Sequence, residues 1–188
     1  MKNIIKTKFE TSNSVFLDFA NDKNYNLINT AAKKIISSFN NNKKIISFGN
    51  GGSMCDAMHF NQELNGYFVK KRKPFKGLCA SDPSYITCVS NDTSFDFIFS
   101  RFIESHGDQG DIVFGISTSG NSNNIIEAFK KAREMGLFII SLTGNDGGEA
   151  VKYSDININV ASSESSSFIQ EVHIKIIHSI IECVELDY

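Results

Sequence analysis

The sequence predicts an α/β protein whose parallel sheet is covered by helices on both faces. From residue 43 onward, short apolar runs alternate with stretches in which apolar residues recur at helical spacing. Several of these apolar runs end in loops rich in glycine, serine or threonine. Alternating strands and helices are typical of parallel sheets, because each crossover helix packs on one face of the sheet. Ligands bind such sheets beyond the carboxyl ends of the strands, where these loops lie.

A helical segment precedes this alternation, so we divide one predicted domain, residues 1–188, into residues 1–42 and residues 43–188. Residues 5–20 and 27–39 carry apolar side chains on a period near 3.6, which predicts two amphipathic helices. Both helices are additional to the sheet, and we expect another copy of the protein to cover their apolar faces.

Five apolar runs predict the strands, each bounded by glycine or polar residues. They cover residues 44–48, 75–80, 112–116, 137–142 and 156–160. Helical spacing predicts a helix ending at residue 65, helical stretches within 83–105, and helices over 123–135 and 168–186. A serine-rich loop at 162–167 precedes the last helix.

Composition and charge exclude several classes of protein. The net charge is −2 without a long block of like charges, so neither nucleic acid nor a membrane surface is an expected partner. The short basic cluster at residues 70–73 predicts a solvated loop. No apolar stretch reaches the ~18–20 residues that span a bilayer, and residues 1–6 do not resemble a signal peptide. Four scattered cysteines without a C-x-x-C pair predict reduced thiols in a cytoplasmic protein.

The most informative stretch is residues 112–122, where an apolar run ends in hydroxyl side chains and a glycine. A helical pattern follows, so these hydroxyls converge with the first free N–H groups of a helix. Gly120 allows the tight turn that this requires. The hydroxyl donors are those of Ser117, Thr118, Ser119 and Ser122. The loop contains no Lys or Arg, which suits a small sugar phosphate better than a nucleoside triphosphate.

A second glycine-rich loop, residues 49–53, follows the first predicted strand. Met54 replaces the last glycine of a dinucleotide-binding G-x-G-x-x-G, and no Gly-Lys-Ser/Thr follows. Two interpretations stay open: a tight turn that needs glycine, or a loop that binds an anion or sugar hydroxyls through Asn50 and Ser53. We favour the second, because both loops should share one edge of the sheet.

Polar pairs on two predicted helices can carry chemistry. His59 and Glu63 lie four residues apart, on one helical face, where they can share a metal or act as acid and base. Gln170 and His178 lie about 12 Å apart at ~1.5 Å per residue, too far to bind one metal through bonds of about 2 Å. Either they are satisfied core residues, or one of them reaches the site from a neighbouring subunit.

Four motifs, taken together, carry a family resemblance. They read Ser-Phe-Gly-Asn-Gly-Gly-Ser-x-Cys-Asp-Ala-x-His-Phe-x-x-Glu-Leu at 47–64, Gly-Ile-Ser-Thr-Ser-Gly-Asn-Ser at 115–122, Leu-Thr-Gly-x-Asp-Gly-Gly at 142–148 and Ile-Gln-Glu-x-His-x-x-x-x-His at 169–178. The chain thereby resembles the sedoheptulose 7-phosphate isomerases, or phosphoheptose isomerases, of the sugar isomerase (SIS) domain superfamily. The match runs over nearly the whole chain.

The resemblance implies a flavodoxin-like parallel sheet and a homotetramer with active sites at subunit interfaces. It also implies conversion of sedoheptulose 7-phosphate to D-glycero-D-manno-heptose 7-phosphate, the first step toward bacterial lipopolysaccharide or capsule heptoses. One zinc ion per subunit is the implied cofactor.

Site residues follow from the matching positions. The phosphate ligands would be Ser117, Thr118, Ser119 and Ser122. The sugar would contact Asn50, Gly51, Gly52, Ser53, Glu63, Asn91, Asp92 and Gln170. The zinc ligands would be His59, Glu63, Gln170 and His178, with Glu63 and His178 also forming the acid–base pair.

One departure and two alternatives accompany this resemblance. Family members often carry Ala-Asp-Arg before Ile-Gln-Glu, whereas this chain has Ser166, Ser167 and Phe168, which removes a carboxylate and a guanidinium. Relatives with this fold also include binding proteins that associate with a replication initiator, and isomerases or sensors of hexose phosphates. The presence of both polar pairs favours the enzyme.

Overall fold

The computed structural model describes residues 1–188 and confirms the predicted α/β architecture. Its single sheet is parallel throughout, with the strand order β2-β1-β3-β4-β5. The strands are β1 Ile45–Gly49, β2 Gly77–Cys79, β3 Ile112–Ser117, β4 Phe138–Gly144 and β5 Ile156–Val160. This is the flavodoxin-like order, which changes direction between β1 and β3 and opens a crevice there.

Seven α-helices accompany the sheet. They are α1 Lys2–Phe19, α2 Asp22–Asn40, α3 Gly52–Asn65, α4 Pro83–Asp92, α5 Ile98–His106, α6 Asn123–Glu134 and α7 Ser166–Leu186. The helical stretch predicted within 83–105 is divided into α4, a short 3₁₀ turn and α5. Strand β2 is shorter than predicted, because this edge strand pairs with β1 only from Ile45 to Ser47.

Two apolar layers hold the sheet between the helices. Alternate strand residues point to opposite faces, so Ile45 joins the layer under α2, α3 and α7, and Ile46 joins the layer under α5 and α6. All six residues of β3 are buried, which explains its uninterrupted apolar run. The long α7 buries Ile176, Ile177 and Ile180 against the first layer.

The N-terminal helices pack on α7, but α1 leaves most of its apolar side chains uncovered. Only Val15 and Phe19 of α1 are buried, whereas Phe9 is 76% exposed and Leu17 is 60% exposed. None of the helices has the combination of length and hydropathy needed to cross a membrane.

The carboxyl ends of β1, β3 and β4 meet at one edge of the sheet, and their loops interlock. Gly120 adopts a left-handed conformation with φ +64°, and a side chain there would collide with the carbonyl oxygen of Gly147. The backbone N–H of Ala150 also donates to the carbonyl of Gly120. The loop after β3 is therefore fixed against the loop after β4, and only glycine fits at the contact.

Candidate active site

The loop after β3 presents hydroxyl groups at the start of α6. Ser117 ends β3, and its Oγ lies 3.4 Å from the Oγ of Ser122, which is the residue preceding α6. Neither serine caps the helix with its side chain, so the first N–H groups of α6 keep no side-chain partner. A helix N-terminus with free N–H groups and two adjacent hydroxyls is suited to a phosphate.

Thr118 and Ser119 complete this loop with different exposures. Thr118 is half-buried, and its carbonyl accepts a hydrogen bond from the Asn145 side chain. Ser119 is exposed, and its Oγ accepts a hydrogen bond from the backbone N–H of Asn121. The Ser119 hydroxyl proton remains available to a ligand, since the oxygen acts here as an acceptor.

The loop after β1 is bound to the same edge by a pair of amides. Asn50 and Asn124 exchange two hydrogen bonds between their side chains, each 2.9 Å long. Asn124 lies in the first turn of α6 and is 2% exposed. The two predicted ligand loops therefore do lie side by side. Asn124 was missed in the sequence because a polar residue in a first helical turn has no distinctive spacing.

Gln170 lies against the beginning of α3. An added Cβ on Gly52 would stand 2.5 Å from the Gln170 Nε2 atom, so the amide of Gln170 covers this glycine. Gly51, directly before it, has a φ of +55° and Ser53, directly after it, is 4% exposed. Backbone, hydroxyl and amide groups are therefore packed closely together at the start of α3.

His59, Glu63 and His178 form a second cluster, two helical turns further along α3. The His59 Nε2 atom lies 3.1 Å from Glu63 Oε1 and 3.4 Å from His178 Nε2. Gln62 also donates to Glu63 Oε1 through its Nε2, at 2.7 Å. Burial lowers the pKa of His178, and the neighbouring His59 lowers it further. The neutral form of the His178 imidazole, which can accept a proton, is therefore favoured.

Within one chain, the four residues predicted to bind a metal do not all come together. Helices α3 and α7 run in the same direction, with Gln170 opposite Gly52 and His178 opposite His59. His59, Glu63 and His178 come together, while Gln170 stays at the other end of this contact. The separation calculated along α7 in the sequence therefore persists in the fold.

The three clustered side chains fit the ligand chemistry of zinc. Two ligands bound to tetrahedral zinc at about 2.0–2.1 Å stand about 3.3 Å apart, close to the 3.1 Å and 3.4 Å separations observed here. Imidazole nitrogen and carboxylate oxygen are both common zinc ligands. The single chain does not, however, preform a site of three or more His, Cys, Asp or Glu ligands. A further donor has to complete the set.

Asn91 and Asp92 lie outside both clusters. They are the last two residues of α4, are exposed, and hydrogen-bond to each other at 2.9 Å. Asp92 also accepts a hydrogen bond from the Cys88 thiol at 3.4 Å. They do not cap a helix N-terminus, and neither forms a hydrogen bond to the loops after β1 or β3. Their contact with the sugar stays a prediction.

The residues that replace Ala-Asp-Arg begin α7. Ser165 precedes the helix and Ser166 and Ser167 are its first residues, all three exposed. Phe168 turns inward and is 6% exposed, with the Lys8 ammonium 4.2 Å from its ring centre. The departure from the family pattern thus replaces two charged groups with a serine and an aromatic ring, and the ring contacts the Lys8 ammonium of α1.

Two polar groups near the clusters, the Oδ2 atom of Asp56 and the Arg72 side chain, are buried and had no recognisable signal in the sequence. Asp56 lies on α3 one turn before His59, and its Oδ2 atom is buried without a hydrogen-bond partner. Burial raises the pKa of the Asp56 carboxyl to about 6, although the charge of His59 lowers it. Arg72 belongs to the basic cluster predicted to be solvated, but its side chain is only 6% exposed, so that prediction was wrong for this residue.

Comparison with known proteins connects this geometry to a family. The SIS domain family model matches residues 8–144. A phosphoheptose isomerase from Cytophaga hutchinsonii is 45% identical over 186 residues, covering 98% of this chain and 97% of the relative. The chain belongs to the phosphoheptose isomerase family of SIS domain proteins.

Solved structures of the phosphoheptose isomerase family have the same fold over their whole length. The structure from Francisella tularensis superposes with a TM-score of 0.93 at 31% identity, covering 98% of this chain and 97% of that one. The structure from Neisseria gonorrhoeae gives a TM-score of 0.92 at 33% identity, with 98% of both chains covered. The N-terminal helices are therefore shared with the family.

Proposed function

We propose that this protein interconverts sedoheptulose 7-phosphate and D-glycero-D-manno-heptose 7-phosphate. The observation that carries the proposal is the cluster of His59, Glu63 and His178 between α3 and α7. The contact between these two helices begins at Gly52, beside the loops after β1 and β3. Seven residues of α3, about 10 Å at ~1.5 Å per residue, separate Gly52 from His59. A seven-carbon sugar phosphate can extend over such a distance, with its phosphate at Ser117 and Ser122 and its reactive carbons near Glu63.

Isomerisation moves one proton between C1 and C2 and another between the two oxygens. In the ketose-to-aldose direction, Glu63 removes a proton from C1, which gives an enediolate with its negative charge on the C2 oxygen. The C1 hydroxyl then loses its proton to neutral His178, and Glu63 returns a proton to C2. Each group finishes in its starting state once His178 has passed its proton to the C2 oxygen. A positioned general base contributes typically 10²–10⁴-fold to such a rate.

We also propose one zinc ion per subunit, held by His59, Glu63, Gln170 and His178. When bound, zinc would supply Lewis acidity that stabilises negative charge on the enediol oxygens. The separation of Gln170 from His178 supports ligands drawn from more than one subunit. Glu63 and His178 can accept protons only while the carboxylate oxygen and the imidazole nitrogen that do so are free of the metal.

A homotetramer is the proposed assembly, with sites at subunit interfaces. The exposed apolar face of α1, including Ile5 at 59% and Phe9 at 76%, is support for a partner covering this helix. Family membership supports the isomerase over the binding protein that associates with a replication initiator, because the matching relatives are named phosphoheptose isomerases.

The direct test is incubation with sedoheptulose 7-phosphate, with and without a chelator, and detection of the aldose product by NMR. Conversion that the chelator abolishes and added zinc restores is expected. Parallel incubation with fructose 6-phosphate tests the hexose-phosphate alternative. Turnover of the hexose phosphate alone would contradict the proposed substrate, and capture of a replication initiator by a protein inactive on both sugars would contradict the enzyme.

A further inference from the structure

A buried carboxylate near the end of α7 gathers four donors from the segment that follows α3. Glu185 is 1% exposed and accepts hydrogen bonds from the backbone N–H groups of Phe68, Val69 and Lys70, at 2.8, 2.8 and 3.0 Å. Its Oε1 also receives the Arg72 Nε–H at 2.9 Å. We refer to Glu185, Arg72 and the backbone of residues 68–70 as the Glu185 clamp.

The clamp holds the end of the helix that carries Glu63. The Arg72 guanidinium donates to the backbone carbonyls of Glu63 at 2.7 Å and Leu64 at 3.0 Å, and to that of Gly66 at 3.1 Å. These are carbonyls at a helix C-terminus, which lack partners within the helix and favour a cation. Through Arg72, Glu185 therefore fixes the backbone at Glu63 itself.

The same clamp places an aromatic ring on His178. The Phe68 ring stacks on the His178 imidazole with centroids 5.1 Å apart and planes inclined by 21°. His178 also makes an edge contact with the His59 ring, with centroids 5.1 Å apart. Since Glu185 binds the backbone N–H of Phe68, it determines where this ring lies and so limits the rotation of His178.

We propose that Glu185 is a positioning residue for the Glu63 and His178 pair. Glu185 itself touches neither of them through its side chain, and it acts through Arg72 on one and through Phe68 on the other. A buried ion pair contributes little net stability compared with apolar residues. The four hydrogen bonds that Glu185 accepts instead hold the backbone of residues 68–70 and the Arg72 side chain in place. This inference rests on the proposed function only for the reaction that the pair performs.

Glu185→Gln is the decisive variant, because the amide keeps the size of the side chain but loses its charge and one acceptor oxygen. Glu182→Gln is the matched control, one turn earlier on α7 and exposed. Phe68→Leu removes the aromatic ring and leaves the clamp intact. The measurements are kcat and KM for sedoheptulose 7-phosphate, thermal unfolding, and the NMR signals of the His178 ring.

We expect Glu185→Gln to lower kcat about 10- to 100-fold with little change in KM, since misplacement near the reacting atoms costs rate more than phosphate binding. Phe68→Leu should lower kcat less, and both variants should shift the His178 ring signals. Glu182→Gln should change none of these values. A Glu185→Gln protein that unfolds at lower temperature but keeps its kcat and its His178 signals would overturn the proposal.

Two results separate this inference from the proposed function. If the wild-type protein does not isomerise the sugar phosphate, the proposed function fails, and the His178 ring signals still test the positioning role. If Glu185→Gln does not fold, Phe68→Leu decides: unchanged kcat and unchanged His178 signals in that variant would contradict a positioning role for the clamp.

Discussion

The imidazoles of His59 and His178 approach each other across two helices, with their Nε2 atoms 3.4 Å apart. This distance suits two nitrogen ligands on one tetrahedral metal ion. It also suits a hydrogen bond between one protonated and one unprotonated nitrogen. Direct measurement of the metal separates the two cases.

The first prediction concerns zinc content. Protein purified with zinc and then desalted should retain about one zinc per chain, measured by atomic emission, and His59→Ala and His178→Ala should retain far less. His106→Ala is the control, because His106 bonds only to Ser105 and the Phe102 carbonyl on α5. Equal zinc in all four proteins would contradict the proposed ligands.

Replacement of the proposed base should affect turnover more than binding. Glu63→Gln keeps the size of the side chain but cannot accept a carbon-bound proton, so kcat should fall 10²–10⁴-fold while KM changes little. Exchange of the C1 proton with deuterated solvent, followed by NMR, should fall in parallel. A Glu63→Gln protein with full turnover and full exchange would remove Glu63 from the mechanism.

Loss of a hydroxyl in the loop after β3 should weaken binding of the phosphate. A hydrogen bond to a charged group is worth about 1.5–3 kcal/mol, so Ser117→Ala should raise KM about tenfold or more with a smaller change in kcat. Ser37→Ala on α2 is the control, since Ser37 is exposed and its hydroxyl has no hydrogen-bond partner in the chain. Unchanged KM in Ser117→Ala would place the phosphate elsewhere.

The exposed face of α1 should be covered in the assembled protein. Phe9→Asp places a charge on that face and should shift the protein toward smaller species in analytical ultracentrifugation. Ser14→Asp introduces the same charge at an exposed polar position of α1 and should leave the assembly unchanged. An unaltered sedimentation profile for Phe9→Asp would show that this face is not an interface.

Acid should destabilise the fold through His173. Burial lowers the pKa of this histidine from 6.5 to about 4, although its hydrogen bond to the Thr143 carbonyl raises it. Between these two values the unfolded chain binds a proton that the folded chain does not. The stability that neutral His173 contributes is therefore complete above pH 6.5 and falls as the pH drops toward 4, by at most about 1.4 kcal/mol per pH unit.

Urea unfolding of the wild-type protein and His173→Gln at several pH values between 7 and 4.5 measures this effect. The comparison between variants is needed because Asp56, with its pKa raised to about 6, changes the stability in the opposite direction between pH 4 and 6. The stability advantage of wild type over His173→Gln should shrink as the pH falls. A constant difference would show that His173 does not titrate in this way.

Much of the fold could be predicted because it depends on local periodicity. The fully buried β3 appears as an unbroken apolar run, and α3 and α7 show their lengths through helical spacing. Edge elements were less predictable: β2 has only three residues, because its extent depends on its single neighbour and not on its own side chains.

The candidate site, like the fold, could be predicted from the sequence only in part. The sequence by itself determined the glycine- and hydroxyl-rich loops after β1 and β3, the pairing of His59 with Glu63 on one helical face, and the separation of Gln170 from His178 along α7. Each of these follows from backbone geometry over a few residues, which spacing alone specifies.

Only the tertiary structure decided how distant segments meet. It brought His178 to His59, joined Asn50 to Asn124, and buried Arg72 against Glu185. These contacts depend on the packing of α7 against α3 and of β1 against β3, which brings residues more than 70 positions apart within hydrogen-bond distance. From the sequence alone, a charged residue such as Arg72 is predicted to be exposed to solvent. Only the structure shows that it is buried beside the opposite charge of Glu185.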